Sequence, residues 1–282
     1  MSDEILKKVF VGVPTKGRWN SIEKWIDKHK HKNLKIVLAV EEDEIDKYAI
    51  AKNKFFPISD ISMFIVPNNN NLGHTKFLLA EIAKIGKYKY YLHSDDNAFW
   101  KIEELIDAIN LMEQNHFIDY LGGYNSAMSV FWQLYKKDWF NKKCIFSTKG
   151  GACVVSLIRM SILNKVQYDK NLSYIDDNDL ILQIRKNIGN DKVMVYSGFS
   201  FAKKRHQGGG GSFLKTKEKL QEITNCFNKK WGFKIGIIST VKGKPTIKIM
   251  WKNFAKHENL EPFEIKQVMG CRIPINEVNK DE

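Results

Sequence analysis

In Lys87-Tyr88-Lys89-Tyr90-Tyr91-Leu92-His93-Ser94-Asp95-Asp96-Asn97 a short aromatic run closes in two carboxylates and an amide. The run has the composition of a buried strand, so the acidic cluster marks that strand's C-terminal end. A second cluster, Tyr174-Ile175-Asp176-Asp177-Asn178-Asp179, opens the segment Leu180-Ile181-Leu182-Gln183-Ile184-Arg185-Lys186-Asn187, which reads as a helix stopped by Gly189. Carboxylates at a strand's C-terminal end and a helix's N-terminal end lie where open α/β sheets place their active sites. A core needs neither.

Further out, the same rhythm repeats. Lys8 to Pro14 is a strand entering a turn, and Asn20-Ser21-Ile22-Glu23 reads as a capping box that starts an amphipathic helix through Lys30. Lys35 to Val40 is a second strand, ending in Glu41-Glu42-Asp43-Glu44, and Ser62 to Pro67 is a third. A helix from Thr75 to Ile85, with Gly86 as its C′ residue, leads into the strand of the first cluster. After that cluster, Ile102, Leu105, Ile106, Ile109 and Met112 recur at helical spacing. Strands alternating with helices predict an α/β fold with a mostly parallel central sheet and helices on both faces. Phe131, Trp132, Tyr135, Trp139 and Phe140 are read as core, with acceptor-binding surface as the alternative. Lys192 to Tyr196 and Thr246 to Trp251 read as later strands, with a charged helix before Trp231-Gly232-Phe233. Residues 1–212 are expected to form the main domain and residues 213–282 a basic C-terminal extension packed on it.

The 282 residues are 43% hydrophobic and 12% aromatic, enough for a sizeable core and unlike a disordered chain. No stretch is long and apolar enough to span a membrane, and no secretory signal is recognisable, so a cytoplasmic protein without membrane partners is expected. Cys144, Cys153, Cys226 and Cys271 are scattered without a Cys-x-x-Cys pair, which speaks against a zinc site and a disulfide framework. The net charge of +13 would draw a polyanion such as nucleic acid. The same charge fits lysines spread over solvated faces.

Gly12-Val13-Pro14-Thr15-Lys16-Gly17-Arg18-Trp19 has the glycine spacing of a phosphate-binding P-loop, but Arg18 and Trp19 replace its lysine and hydroxyl residue. Pro14 also removes an N–H from the would-be cradle. The sequence thus excludes a P-loop ATPase and leaves either a plain βα turn or a polar turn that meets a nucleotide. Asp95 with Asp96 or Asn97 supplies hard oxygen ligands for Mg²⁺ or Mn²⁺, or else a capped strand-end turn. Asp176, Asp177 and Asp179 crowd a helix N-terminus, as helix caps or as a proton acceptor for a hydroxyl. His206, beside Lys203, Lys204 and Arg205, is a metal ligand or a surface histidine. Gly208 to Ser212 has the composition of a linker.

Together these segments resemble the GT-A fold glycosyltransferases over about the first 210 residues. The resemblance runs in order through the Pro14-Thr15-Lys16-Gly17-Arg18 turn, the acids after the second strand, Asn71-Leu72-Gly73-His74-Thr75-Lys76 and the aspartate cluster. It implies that Asp95, Asp96 and Asn97 bind a metal and a sugar diphosphate. It further implies that Asp177 is the catalytic base beside Asp176, that Gly150-Gly151-Ala152 is an acceptor-side loop and that His206 is a late metal ligand. Within that fold the order of motifs looks most like the bacteriophage TET-associated glycosyltransferases, which decorate hydroxymethylated bases in DNA.

The resemblance therefore implies a UDP-sugar donor with Mn²⁺ or Mg²⁺ as cofactor. Its diphosphate or base would be held by Pro14, Thr15, Lys16, Arg18 and Lys76, and its ribose or uracil by Glu41 or Glu42. It also implies inverting transfer to a 5-hydroxymethylated pyrimidine such as hydroxymethylcytosine in DNA, in a host cytoplasm, with no obligate protein partner. Other acceptors (a polysaccharide, a lipid-linked sugar or a protein) and a non-catalytic nucleic-acid-binding protein are the alternatives.

Overall fold

The computed structural model describes residues 2–55, 60–69, 71–124, 154–203, 216–241 and 243–260. His206, Gly150 to Ala152, the aromatic segment from Phe131 to Phe140, the glycine run from Gly208 and residues 261–282 lie outside them.

Strand β1 (Val9–Thr15) turns Val9, Val11 and Val13 into one hydrophobic cluster and Phe10 into another, as period-two alternation requires of a strand covered on both faces. It pairs in parallel with β2 (Lys35–Glu41) and with β4 (Tyr90–Ser94), and β2 pairs in parallel with β3 (Ile61–Val66). Helices α1 (Ser2–Leu6), α2 (Trp19–His29), α3 (Ile45–Phe55) and α4 (Leu72–Ile85) punctuate these strands. Beyond β4 come β5 (Ala98–Trp100), α5 (Ile102–Gln114), β6 (Tyr120–Tyr124), β7 (Val155–Arg159), α6 (Asp176–Asn187) and β8 (Val193–Lys203). All eight strands join one sheet in the order β3-β2-β1-β4-β7-β6-β8-β5. It is mostly parallel. The exceptions are β7, antiparallel to both β4 and β6, and β5, antiparallel to β8.

One face of the sheet is covered by Trp25 and Ile26 of α2 and by Leu105, Ile109 and Met112 of α5. The other is covered by Leu79 and Ala83 of α4 and Leu180 and Ile184 of α6. Each of the leucine, isoleucine and methionine side chains among these contributes about 1.5–3 kcal/mol when fully buried. A third cluster packs Leu172, Ile175 and Leu182 against the C-terminal elements. Those elements are α7 (Lys217–Trp231), the hairpin β9 (Gly236–Val241) and β10 (Lys244–Ile249), and α8 (Trp251–His257).

Local punctuation differs from expectation in three places. Helix α2 begins at Trp19 without a side-chain cap among the described residues, and the Ser21 hydroxyl donates to Arg18 O (3.2 Å) instead of forming a capping box. Helix α4 begins three residues before Thr75 because the Asn71 side chain accepts the His74 N–H (3.0 Å). Gly86 ends α4 in a right-handed conformation and Lys87, at φ 54°, takes the left-handed one. In addition, Trp251 starts α8 rather than ending a strand.

The topology fixes where a ligand meets the sheet. The chain moves outward from β1 through β2 to β3, then returns through α4 to lay β4 on β1's other side. That reversal opens a crevice outside the C-terminal ends of β1 and β4. Both sequence motifs end there.

Candidate active site

At the end of β1, Thr15 donates its hydroxyl to Asp96 (Oγ1–Oδ2 2.8 Å) and meets the Tyr48 hydroxyl of α3 at 2.7 Å. Tyr48 in turn accepts the Arg18 N–H (3.2 Å). Gly17, at φ 66°, adopts a turn that favours glycine, and its N–H points between both carboxylate oxygens of Glu44 (3.0 and 2.7 Å). The Arg18 guanidinium pairs with Asp96, and Lys16 pairs with Glu41 at the end of β2. Pro14 is half-buried on β1, and Glu42 is exposed in the turn after β2. Glu44 and Tyr48 were not singled out in the sequence, although their i, i+4 spacing within an acidic run that enters a helix was a usable signal.

At the end of β4 the two aspartates face different ways. Asp96 is buried against Thr15 and Arg18, with Asn97 buried beside it. Burial pushes the Asp96 carboxyl up to about 6, against the pull of Arg18 and Thr15. The Asp95 side chain keeps 26% exposure, with Lys203 Nζ at 2.9 Å from Oδ2 and the fully buried His93 ring 3.6 Å from Oδ1. Burial opposes ionisation there, yet His93, Lys203 and Lys76 together hold the Asp95 carboxyl below the usual carboxylate range. Burial and the charge of Lys76 push His93 down to about 4, so its ring is neutral.

Lys76 connects the two acidic clusters. Its side chain, 1% exposed, lies 2.7 Å from Asp176 Oδ2 and 2.6 Å from Asp177 Oδ2. Burial alone would lower its pKa, but Asp176, Asp177 and Asp95 overcome that and keep the ammonium charged. Lys76 therefore anchors the second cluster from beneath. Asp177 is pushed upward by burial and by the neighbouring Asp176, so its carboxylate holds a proton more readily than an ordinary aspartate. Its Oδ1 has no hydrogen-bond partner among the described residues. Ile175, the residue before this pair, sits at φ 63°, ψ 12°, a left-handed conformation rarely adopted by a β-branched residue.

No three His, Cys, Asp or Glu side chains converge as a metal centre among the described residues. The donor set there is the ionised, partly exposed Asp95 carboxylate, with Asp96 and Asn97 next to it. That suits a cation that takes one or two carboxylates from protein and its remaining ligands from substrate phosphates and water.

Solved structures share this architecture. Staphylococcus aureus TarS residues 1–349, in complex with UDP-GlcNAc, matches with a TM-score of 0.53 at 15% identity, over 80% of this chain and 73% of that one. Glucosyl-3-phosphoglycerate synthase from Mycobacterium tuberculosis, in complex with Mn²⁺, UDP-glucose and phosphoglyceric acid, matches at 0.56 and 10% identity over 88% and 90%. The fold is that of the GT-A glycosyltransferases. GalNAc-T7 with UDP, GalNAc and Mn²⁺ shares the GT-A fold too, at 0.55 and 12% identity, over 90% of this chain and 54% of that one. No family model and no curated protein matches the sequence. Among the described residues no helix is long and apolar enough to cross a membrane.

Proposed function

We propose that the protein is a glycosyltransferase that moves a sugar from a UDP-sugar to a hydroxymethylated pyrimidine in DNA, with inversion at the anomeric carbon. The observation that carries the transferase reading is the convergence of Asp95 with Asp176 and Asp177 around Lys76, at the switch point of a GT-A sheet. The sugar nucleotides bound by the TarS and synthase structures support the choice of donor.

Asp177 accepts the proton of the acceptor hydroxyl at the carboxylate oxygen that Lys76 leaves free. The acceptor oxygen bonds to the anomeric carbon as the bond from that carbon to the diphosphate breaks and UDP departs. Lys16, Arg18 and the Thr15 turn line the diphosphate side, and Glu41 and Glu42 the nucleoside side. A divalent cation, Mn²⁺ or Mg²⁺, would be held by Asp95 with Asp96 and Asn97, and would neutralise charge on the leaving diphosphate.

The DNA acceptor is supported by charge. Residues 216–260 contain ten lysines against three glutamates, over half of the chain's net +13. Most of these lysines are exposed without an acidic partner among the described residues, as a phosphate-binding surface requires.

Mass spectrometry of nucleosides from hydroxymethylcytosine DNA, treated with protein, Mn²⁺ and a panel of UDP-sugars, tests both halves of the reading. A hexose or pentose increment is expected, reduced on the order of 10²–10³-fold by Asp95→Ala. Metal-dependent UDP release without a change in the DNA would move the acceptor to a polysaccharide, lipid-linked sugar or protein. DNA binding with no sugar-nucleotide turnover at any metal concentration would sink the transferase reading.

A further inference from the structure

Asp179 has no part in the chemistry above, yet it is completely buried two residues after Asp177. Three donors converge on its carboxylate. Trp231 Nε1 donates to Oδ1 (3.0 Å), while Lys230 Nζ and Gln183 Nε2 each donate to Oδ2 (2.6 Å). Gln183 belongs to the same helix, but Lys230 and Trp231 are the last turn of α7, fifty residues on. Lys230 also bridges to Asp169 (2.7 Å) in the loop that leads into α6.

That loop is gripped from its other side by α4. Asn71 donates its side-chain amide to Lys170 O (2.6 Å), and a Cβ on Gly73 would lie 2.2 Å from Leu172 O and 2.5 Å from Asp169 O. Gly73 thus brings backbone against backbone, one turn before Lys76. The segment between the two grips ends in the left-handed Ile175, and a strained residue persists only where its surroundings over-determine it.

We infer that Asp179, Lys230 and Trp231 are positioning residues: the end of α7 clamps the first turn of α6 and so sets the Asp176–Asp177 pair against Lys76. The C-terminal unit on this view completes the active site without contributing a group to the reaction. The inference rests on the proposed role of Asp177, and its test separates the two.

Three variants of the full chain, Lys230→Met, Asp179→Asn and the double variant, are compared with wild type by hydrogen exchange and by kinetics. Amides of residues 174–180 are expected to exchange faster in all three, with those of β4 unchanged. Turnover should fall about 10- to 100-fold, the scale of a misplaced catalytic group, while UDP-sugar Kd and KM stay within about twofold. The double variant should lose less than the two single effects combined, because the two changes share the Lys230–Asp179 contact. Trp231→Phe, which keeps an aromatic ring and removes the N–H, should show the same pattern more weakly. Unchanged exchange at 174–180 would overturn the clamp. So would a lowered melting temperature with full turnover below it, since the contact would then be packing alone. Should wild type turn over no sugar nucleotide, the exchange experiment still decides whether the clamp orders this turn, and only the proposed function fails.

Discussion

The two ends of the chain treat charge in opposite ways. Around the sheet edge, cations and carboxylates are set against each other: Lys16 on Glu41, Arg18 on Asp96, Lys203 on Asp95, Lys76 on Asp176 and Asp177. In the C-terminal unit Lys244, Lys248, Lys252 and Lys256 point to solvent with no acidic partner among the described residues. The first arrangement holds charges in fixed geometry, where low dielectric makes each one consequential. The second leaves charge free for something outside the chain. Net charge alone does not distinguish them; the partner of each lysine does.

If that contrast is right, removing a cation should cost much in one region and little in the other. Lys76→Met strands two buried carboxylates, so a loss of about 3–5 kcal/mol in urea unfolding is expected, and adding Asp176→Asn should recover part of it. A cost under about 1 kcal/mol would mean that this triad is no more constrained than a surface pair.

Next in size is a pH effect from the buried half. His29 lies between the Trp25 and Trp100 rings (centroids 4.2 and 4.3 Å), with Nδ1 2.7 Å from Trp25 O and Nε2 accepting the Trp100 N–H (3.2 Å). Burial pushes it down to about 4. The unfolded chain therefore binds the extra proton first as pH falls. This contribution is complete above about pH 6.5 and is lost between about 6.5 and 4, amounting to about 3 kcal/mol. His29→Gln should flatten that slope, as read from unfolding at about pH 7 and about pH 4.5. An unchanged slope would show that other groups carry it.

The smallest stability change belongs to the exposed lysines. Reversing Lys244, Lys248, Lys252 and Lys256 to glutamate should move unfolding by no more than about 0.5 kcal/mol per site. Binding to a DNA duplex, followed by anisotropy against salt, should weaken, with the log–log slope shallower by about 0.9 for each phosphate that is no longer neutralised. An equal slope in wild type and variant would place the polyanion elsewhere on the molecule.

Much of this was legible in the sequence because it is local. Apolar runs ending in acids marked the β2 and β4 edges, an apolar run entering the Pro14–Arg18 turn marked β1, and both aspartate clusters were visible as departures from what a core needs. Pairing partners were not local, and they were missed. Nothing in Val155–Arg159 announces a strand inserted antiparallel between β4 and β6, and nothing at Lys76 shows that its ammonium lies under aspartates a hundred residues away. Lys76 read as a cation for the donor; burial, which sequence does not display, ties it to the Asp176–Asp177 pair. Capping failed in the same way at Asn20, where a locally plausible box is overridden by the turn that places Arg18 on Asp96.

The place of β7 in the sheet also has a consequence in time. Strands β1 to β4 need only the first 94 residues, whereas the open side of β4 is closed by a strand that begins at Val155. At a ribosomal pace of about 5–20 residues per second, a nascent chain would carry that unpaired, aromatic edge for about 3–12 seconds. During synthesis, then, the stretch that bears the first aspartate cluster is also the one most exposed to pairing with a neighbouring chain.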